Sequence, residues 1–377
     1  MPDLRVGSPA EGHVRPLDGL RAIAVAVVMA THFDVPHFGG GQLGVDLFFV
    51  LSGFLITSLI IREHDRHGGV AWRAFYARRA LRLLPALWLA GAATMVMVWA
   101  TAASITPAAL ASIGAPPDLS VVPNTVGEVA IAFAYVADLP QSRVDHVFFG
   151  HAWSLSLEEQ FYLVMPLVWF LARRRHLMGP GVLLVAYLLV GGARVAGLSG
   201  PLDLLQLRID ALLLGCLLAS ARRVDGLRPR LDRISTLCLV PALVGFALLV
   251  TVAPPSDASV LGRLGFTAAG LCAGGAIVAL WSGATGVVPT ALAFAPMVAI
   301  GQISYGLYLF HFPIGRRLAL ADLSLPGPVV VALKTALTLV VATASYLLVE
   351  RRILRHKRRF PPGPRPRRPT LSADARD

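Results

Sequence analysis

The sequence predicts an all-α polytopic membrane protein of about ten transmembrane helices, with both termini on the cytoplasmic side. Three observations lead there. Of the 377 residues, 55% are hydrophobic and 15% charged, with a mean hydropathy of +0.66; a soluble domain carries roughly 25% charged residues. The apolar residues gather into runs long enough to cross a bilayer, which takes about 20 residues per helix. The net charge of +12, from 34 Lys and Arg against 22 Asp and Glu, is unevenly placed along those runs. A soluble nucleic-acid-binding chain would share the charge but not the hydropathy.

The apolar windows lie near 20–35, 43–61, 81–100, 155–171, 181–198, 203–220, 235–252, 262–281, 291–312 and 328–348. The first is read as a span and not as a cleaved leader, because no small-residue cleavage site follows Ala30. The stretch 119–139 holds an apolar core, Val129 to Ala137, too short to cross, and is read as re-entrant or interfacial. Basic residues arbitrate the orientation, since Lys and Arg collect in cytoplasmic loops. With ten spans and an inside N-terminus, Arg62 to Arg82, Arg173 to Arg175, Arg222 to Arg233 and the tail from Arg351 all fall inside. Counting 119–139 as a span would move Arg173 to Arg175 outside and break the pattern.

Two regions follow. Residues 1–350 form the membrane domain, and 351–377 form a basic, Pro-rich cytoplasmic tail expected to be disordered. Such a tail attracts anionic lipid head groups, at about 1 kcal/mol per basic residue near the surface. No aromatic platform or reading fold accompanies it, so nucleic acid is not an expected partner; the lipid bilayer is. Cys216, Cys238 and Cys272 lie in apolar runs at no metal-ligand spacing, so they are read as buried filler and no metal is expected.

Polar groups inside spans are costly and are functional candidates by default. Arg21 and His32 stand eleven residues apart on span 1. At 100° per residue that is within about 20° of three full turns, so they share a stripe, separated by roughly 16.5 Å of rise. Imidazole suits proton transfer near neutral pH. Asp46 opens span 2 on His32's side of the membrane, where a carboxylate would orient the ring; it also suits a helix N-terminus. Ser52 and Gly53 make a small-residue notch of the kind that allows close helix packing.

Arg78, Arg79 and Arg82 fan over the start of span 3, and the planar guanidinium fork suits phosphate. In HAWSLSLEEQFYL, Glu158 and Glu159 enter span 4 with Ser154 and Ser156 as candidate caps, and point to different faces. Arg208 and Asp210 open span 6 as a charge set open to mutual pairing. Ser304, Tyr308 and His311, at i, i+4, i+7, put a polar face on span 9.

RPLDGLRAIAV, GVDLFFVLSGFLITSLI, FYARRALRLLPAL, HAWSLSLEEQFYL, ALLLGCLLA and SYGLYLFHFPI occur in one order over most of residues 15–353. Together they resemble the acyltransferase-3 family of integral membrane O-acyltransferases. The resemblance implies transfer of a short acyl group from cytoplasmic acyl-CoA to a hydroxyl, with no metal. The family's Arg-x10-His motif falls on Arg21 and His32, its histidine being the central catalytic residue, and the family's arginine-rich third span falls on Arg78, Arg79 and Arg82. The closing YLLVERRILR departs from the usual Glu-Arg-Pro ending at Arg352.

On this reading acyl-CoA docks on Arg78, Arg79 and Arg82, with Arg21 and Ser52 along its path up span 1. His32 acts as base or as acyl acceptor, with Asp46 orienting it. Trp153, Glu158, Glu159, Arg208, Asp210, Tyr308 and His311 line the acceptor site or stabilise the oxyanion. Members acting on surface polysaccharides often carry a fused esterase-like domain, for which the tail here is too short. Stand-alone members of this size resemble those that acylate macrolides, so a small-molecule polyketide acceptor is the expectation, with a surface polysaccharide or glycolipid as the alternative. A transporter or flippase is a second alternative; it would show broken helices and paired repeats, neither of which is visible in the sequence.

Overall fold

The computed structural model describes residues 13–139, 146–174, 179–198, 208–252, 259–321 and 323–363, with the backbone alone over 167–174. Every regular element among them is helical. Helix α1 (Arg15–His32) starts with Pro16 and Asp18 in its first turn, where a missing N–H and a negative charge both suit the helix N-terminus. Helix α2 (Gln42–His67) stops at Gly68, whose left-handed φ of 67° lets its N–H reach back to the His64 carbonyl. Helix α3 runs Trp72–Thr101, followed by short α4 (Pro107–Ser112) and α5 (Val121–Phe133). The thirteen-residue α5 is the apolar stretch read as too short to cross.

Next come α6 (Ala152–Arg174), α7 (Pro180–Ala196), α8 (Ile209–Ala221), α9 (Arg228–Leu237) and α10 (Leu239–Thr251). Helices α11 (Val260–Trp281), α12 (Val287–Leu292), α13 (Ala295–Gln302) and α14 (Ser304–Leu320) follow. The last, α15 (Gly327–Ser345), continues through a π-helical turn at Tyr346–Glu350 into α16 (Arg351–Leu354) and a 3-10 turn, Arg355–Arg359.

The described residues of each of the ten apolar windows are mainly helical, residues 203–207 of the sixth lying outside the described residues, but the count of ten spans is not reproduced. Four helical stretches among the described residues are long and apolar enough to cross a membrane, or six when each of two bent pairs counts as one. Helix α1 has only 18 residues and carries Arg15, Asp18 and Arg21; α7 and α8 have 17 and 13 residues. The two bends correct the expectation of unbroken helices. Helices α9 and α10 meet at 60° and α13 and α14 at 67°. Pro241 explains the first, since it lacks the N–H that would bond the Leu237 carbonyl across the break. That break exposes Cys238, so only Cys216 is the fully buried filler expected of all three cysteines.

Helix α1 sits at the centre, packed by α2, α12, α13 and α14. Glycines allow the closest crossings. A Cβ on Gly301 would stand 1.9 Å from the Asp18 carbonyl oxygen, and one on Gly53 2.1 Å from that of Leu212. The Ser52–Gly53 notch thus seats α8 on α2, as its composition implies. The tail departs from expectation: residues 351–363 are helical or docked on the bundle. The remaining tail, 364–377, lies outside the described residues.

Candidate active site

The α1 stripe is realised, with its two ends in different chemistry. At one end Arg21 Nη1 donates to Asp18 Oδ1 at 2.5 Å, and His13 Nε2 contacts the other Asp18 oxygen at 2.6 Å. At the other, His32 Nδ1 lies 3.0 Å from His311 Nε2, and His311 Nδ1 lies 2.6 Å from the Tyr308 carbonyl oxygen. A carbonyl only accepts, so His311 Nδ1 carries the proton and its Nε2 is bare. His32 Nδ1–H must then donate to His311 Nε2. This leaves the His32 Nε2 lone pair open to a reacting group, and the polar face read on span 9 is what fixes it.

A third histidine joins them. His151 is buried, with its ring centroid 5.3 Å from that of His311 and 5.3 Å from that of Tyr308, and stacked on Phe312 at 5.0 Å. Neither of its ring nitrogens has a hydrogen-bond partner of normal geometry. Sequence reasoning missed it because it sits in the turn before α6, where helical spacing carries no signal; its place at the head of HAWSLSLEEQFYL was the available hint. The three rings do not converge as metal ligands: among the described residues no group could hold a metal ion.

Glu128, buried on α5, builds that turn. Its carboxylate accepts the Val147, Phe148 and Phe149 amides at 3.0, 2.9 and 2.5 Å, and the Asn124 side chain at 2.9 Å. Beyond the turn, Tyr308 donates to the His151 carbonyl at 3.0 Å, and Ser154 Oγ meets the Tyr308 hydroxyl at 2.6 Å. Hydrogen bonds to a charged group are worth about 1.5–3 kcal/mol each. Glu128→Ala, which strands three buried amides, is therefore expected to lower the melting temperature of detergent-purified protein by several degrees and to reduce activity through a displaced His151. An unchanged melt would refute this role.

Asp46 does not orient His32. Both its oxygens take the Arg208 guanidinium, Nε at 3.2 Å and Nη2 closer still. Arg208 and Asp210 are likewise not mutual partners: Asp210 holds Arg194, at 2.6 and 3.0 Å. Two residues apart at the start of α8, they stand about 200° apart around the axis and so meet different neighbours. Trp153 supports the first pair, its ring 5.2 Å from the Arg208 guanidinium carbon and packed edge-on against Phe49. Ser154 and Ser156 are not N-terminal caps; their hydroxyls bond the His151 and Ala152 carbonyls.

A cavity of about 300 Å³ runs beside α1 and α2, within the range of small-ligand sites. Arg21, Arg62, Arg79, Arg82, Ser52 and Glu158 line it, and Ser154 and Tyr308 lie at its polar far end. Ser52 donates to Glu158 Oε1 at 2.5 Å, and Tyr162 donates to the same oxygen. The Arg79 guanidinium stacks on Tyr162, 3.2 Å from the ring centre, with Glu159 and Glu158 at 3.8 and 4.0 Å. Of the adjacent acids, Glu158 is the one that faces the cavity. Arg82 lines the cavity and has no carboxylate oxygen within 4.0 Å among the described residues. Arg78 points elsewhere, to Glu63 at 3.0 Å and the Phe360 carbonyl at 2.9 Å. His32 is not among the lining residues. The cavity stops at Tyr308, one helical turn from His311 (about 4.5 Å of rise).

Comparison with known proteins adds the chemistry. The family model described as an acyltransferase domain matches residues 15–347. The peptidoglycan O-acetyltransferase OatA of Listeria monocytogenes is 28% identical over 364 residues, 90% of this chain and 55% of that protein. The O-acetyltransferase OatA of Staphylococcus aureus is 31% identical over 324 residues, 79% of this chain and 50% of that protein. The chain thus spans about half the length of these relatives. No solved structure matches.

Proposed function

Because the chain belongs to this acyltransferase family, we propose that it is a multi-pass membrane enzyme moving a short acyl group from acyl-CoA to a hydroxyl of a cell-surface glycan. The glycan replaces the macrolide expected above, because a relative matched over 90% of this chain is named for peptidoglycan O-acetylation. The observation that carries the mechanism is the His32–His311–Tyr308 hydrogen-bond chain, which leaves one basic nitrogen free.

In the direct route, His32 Nε2 takes the acceptor hydroxyl proton as the oxygen attacks the thioester carbonyl. The C–S bond breaks, the ester forms, and the proton passes from His32 to the departing thiolate. In the two-step route, Nε2 itself attacks the thioester carbonyl, the C–S bond breaks and CoA leaves as the thiolate. The acceptor hydroxyl then attacks the acyl-imidazolium, the N–C bond breaks to regenerate His32, and the hydroxyl proton ends on the thiolate. Both routes need a neutral His32 whose Nδ1–H is held, and His311 holds it. His151, whose ring nitrogens make no hydrogen bond of normal geometry among the described residues, is placed to hydrogen-bond the acceptor or the oxyanion. The cavity's arginines face the donor phosphates, and the thioester end lies toward Tyr308 and Ser154.

The bent helices α9–α10 and α13–α14 are a feature transporters share. Here the second bend serves to place His311 against His32, which favours chemistry over passage. Purified full-length protein given labelled acetyl-CoA and peptidoglycan fragments tests the reading. Label on a glycan hydroxyl with stoichiometric release of CoA thiol is expected; label on a macrolide and none on glycan would overturn the acceptor. Arg82→Ala is expected to raise the KM for acetyl-CoA about tenfold or more, the worth of one charge-assisted contact, and to leave that for acetyl-pantetheine unchanged. Equal effects on both donors would remove Arg82 from phosphate binding.

A further inference from the structure

The chain after α16 returns to the bundle and is fastened there. Glu63, buried at the end of α2, ties three segments together with one carboxylate. Its Oε1 accepts the Ala71 amide at 2.8 Å and the Gly363 amide at 2.9 Å, and its Oε2 accepts Arg78 at 3.0 Å. Arg78 in turn donates to the Phe360 carbonyl at 2.9 Å. Gly363 is buried with φ +92°, and a Cβ there would stand 2.7 Å from the His67 ring. Glycine is the residue that fits that conformation and that space. Residues 355–363 are therefore a built strap, and its partners lie next to the arginine-lined wall of the cavity.

The strap brings charge with it. Lys357 lies within charge–charge range of Arg78, Arg79 and Arg82. Arg78 is matched by Glu63 and Arg79 by Glu158 and Glu159. Among the described residues neither Arg82 nor Lys357 has a carboxylate oxygen within 4.0 Å, although Glu158 and Glu350 lie within charge–charge range of Arg82. Crowding an extra ammonium against three guanidiniums is unfavourable unless an anion comes between them. Arg82 lines the cavity and the turn that carries Lys357 packs on the same helix, α3; neither cation has a close carboxylate among the described residues, an arrangement that suits the charge of a phosphate monoester.

We propose that the C-terminal strap completes the donor site, with Lys357 contacting a phosphate of the acyl donor and the Glu63–Arg78–Phe360 fastening holding it in place. This rests on the acyl-CoA reading above. The source of the phosphate is the donor nucleotide, and a phospholipid head group is the rival source that the test separates.

The experiment is calorimetric titration of the full chain in neutral, lipid-free detergent with CoA, with pantetheine, and with short-chain phosphatidylglycerol. Lys357→Gln is expected to weaken CoA binding about tenfold and leave pantetheine binding unchanged, with Lys357→Arg close to the wild type. Gly363→Ala, which unseats the strap without touching a charge, is expected to weaken CoA binding in the same direction. CoA binding by Lys357→Gln equal to wild type would overturn the strap proposal while leaving the acyl-CoA reading intact. Absence of CoA binding by the wild type would overturn the acyl-CoA reading instead, and the strap with it. Lys357-dependent binding of phosphatidylglycerol that CoA does not displace would assign the site to lipid and overturn the donor contact.

Discussion

His32→Ala is expected to lower acyl transfer by about 10²–10⁴-fold, the range for removing a general base, while the purified protein melts as the wild type does. The side chain stands exposed at the last residue of α1, with His311 and Phe312 as ring neighbours, so the helix keeps its backbone hydrogen bonds when the ring is removed. The two routes then separate. Under direct transfer, donor alone leaves no label on the protein. Under the two-step route, labelled acetyl-CoA without acceptor labels the wild type in a hydroxylamine-sensitive bond and leaves His32→Ala unlabelled. Wild-type rates from His32→Ala would end both.

The partner of His32 sharpens this test. His311 holds the productive tautomer only through its bare Nε2, so His311→Ala frees His32 to present either nitrogen. We expect kcat to fall with KM little changed. His311→Gln, whose amide oxygen can accept the same N–H, should recover part of the loss. A mere packing role for His311 predicts no such rescue, since the two replacements differ chiefly in that acceptor.

What was legible in the sequence is what one helix can say about itself. Arg21 and His32 share a stripe because 3.6-residue geometry puts them there, and Ser304, Tyr308 and His311 share a face for the same reason. The apolar windows are mainly helical over their described residues because apolar runs of that length have few other ways to satisfy their backbone in a bilayer. Pairings between helices were not legible. Asp46 lies 162 residues from Arg208, and no periodicity connects them. His151 and Glu128 act through a turn, where spacing carries no face. The bend at Pro241 was readable from proline chemistry, whereas the bend before Ser304 has no proline to announce it. The docked tail was hidden by its composition: basic and Pro-rich segments read as disordered, and what fastens this one is a buried glutamate 300 residues away.

The second large effect concerns Asp46, where sequence and structure disagree about role. As an orienting group for His32, its loss would slow chemistry in a chain of normal stability. As the partner of Arg208, its loss strands a guanidinium whose side chain is 7% exposed, between the Trp153 and Phe266 rings. Breaking one side of a buried ion pair costs about 3–5 kcal/mol, a large share of the total stability of a typical fold. Asp46→Ala is therefore expected to lower the unfolding free energy by about that amount, and Arg208→Ala by a similar amount for the mirrored reason. Replacing both with apolar residues of similar size, Asp46→Leu with Arg208→Met, should restore most of the loss, because no uncompensated charge is left behind. Activity decides the rest. If the stable double variant turns over near the wild-type rate, the pair is structural and His32 works with His311 alone. If it is folded and inactive, Asp46 or Arg208 acts on the reaction in spite of the geometry.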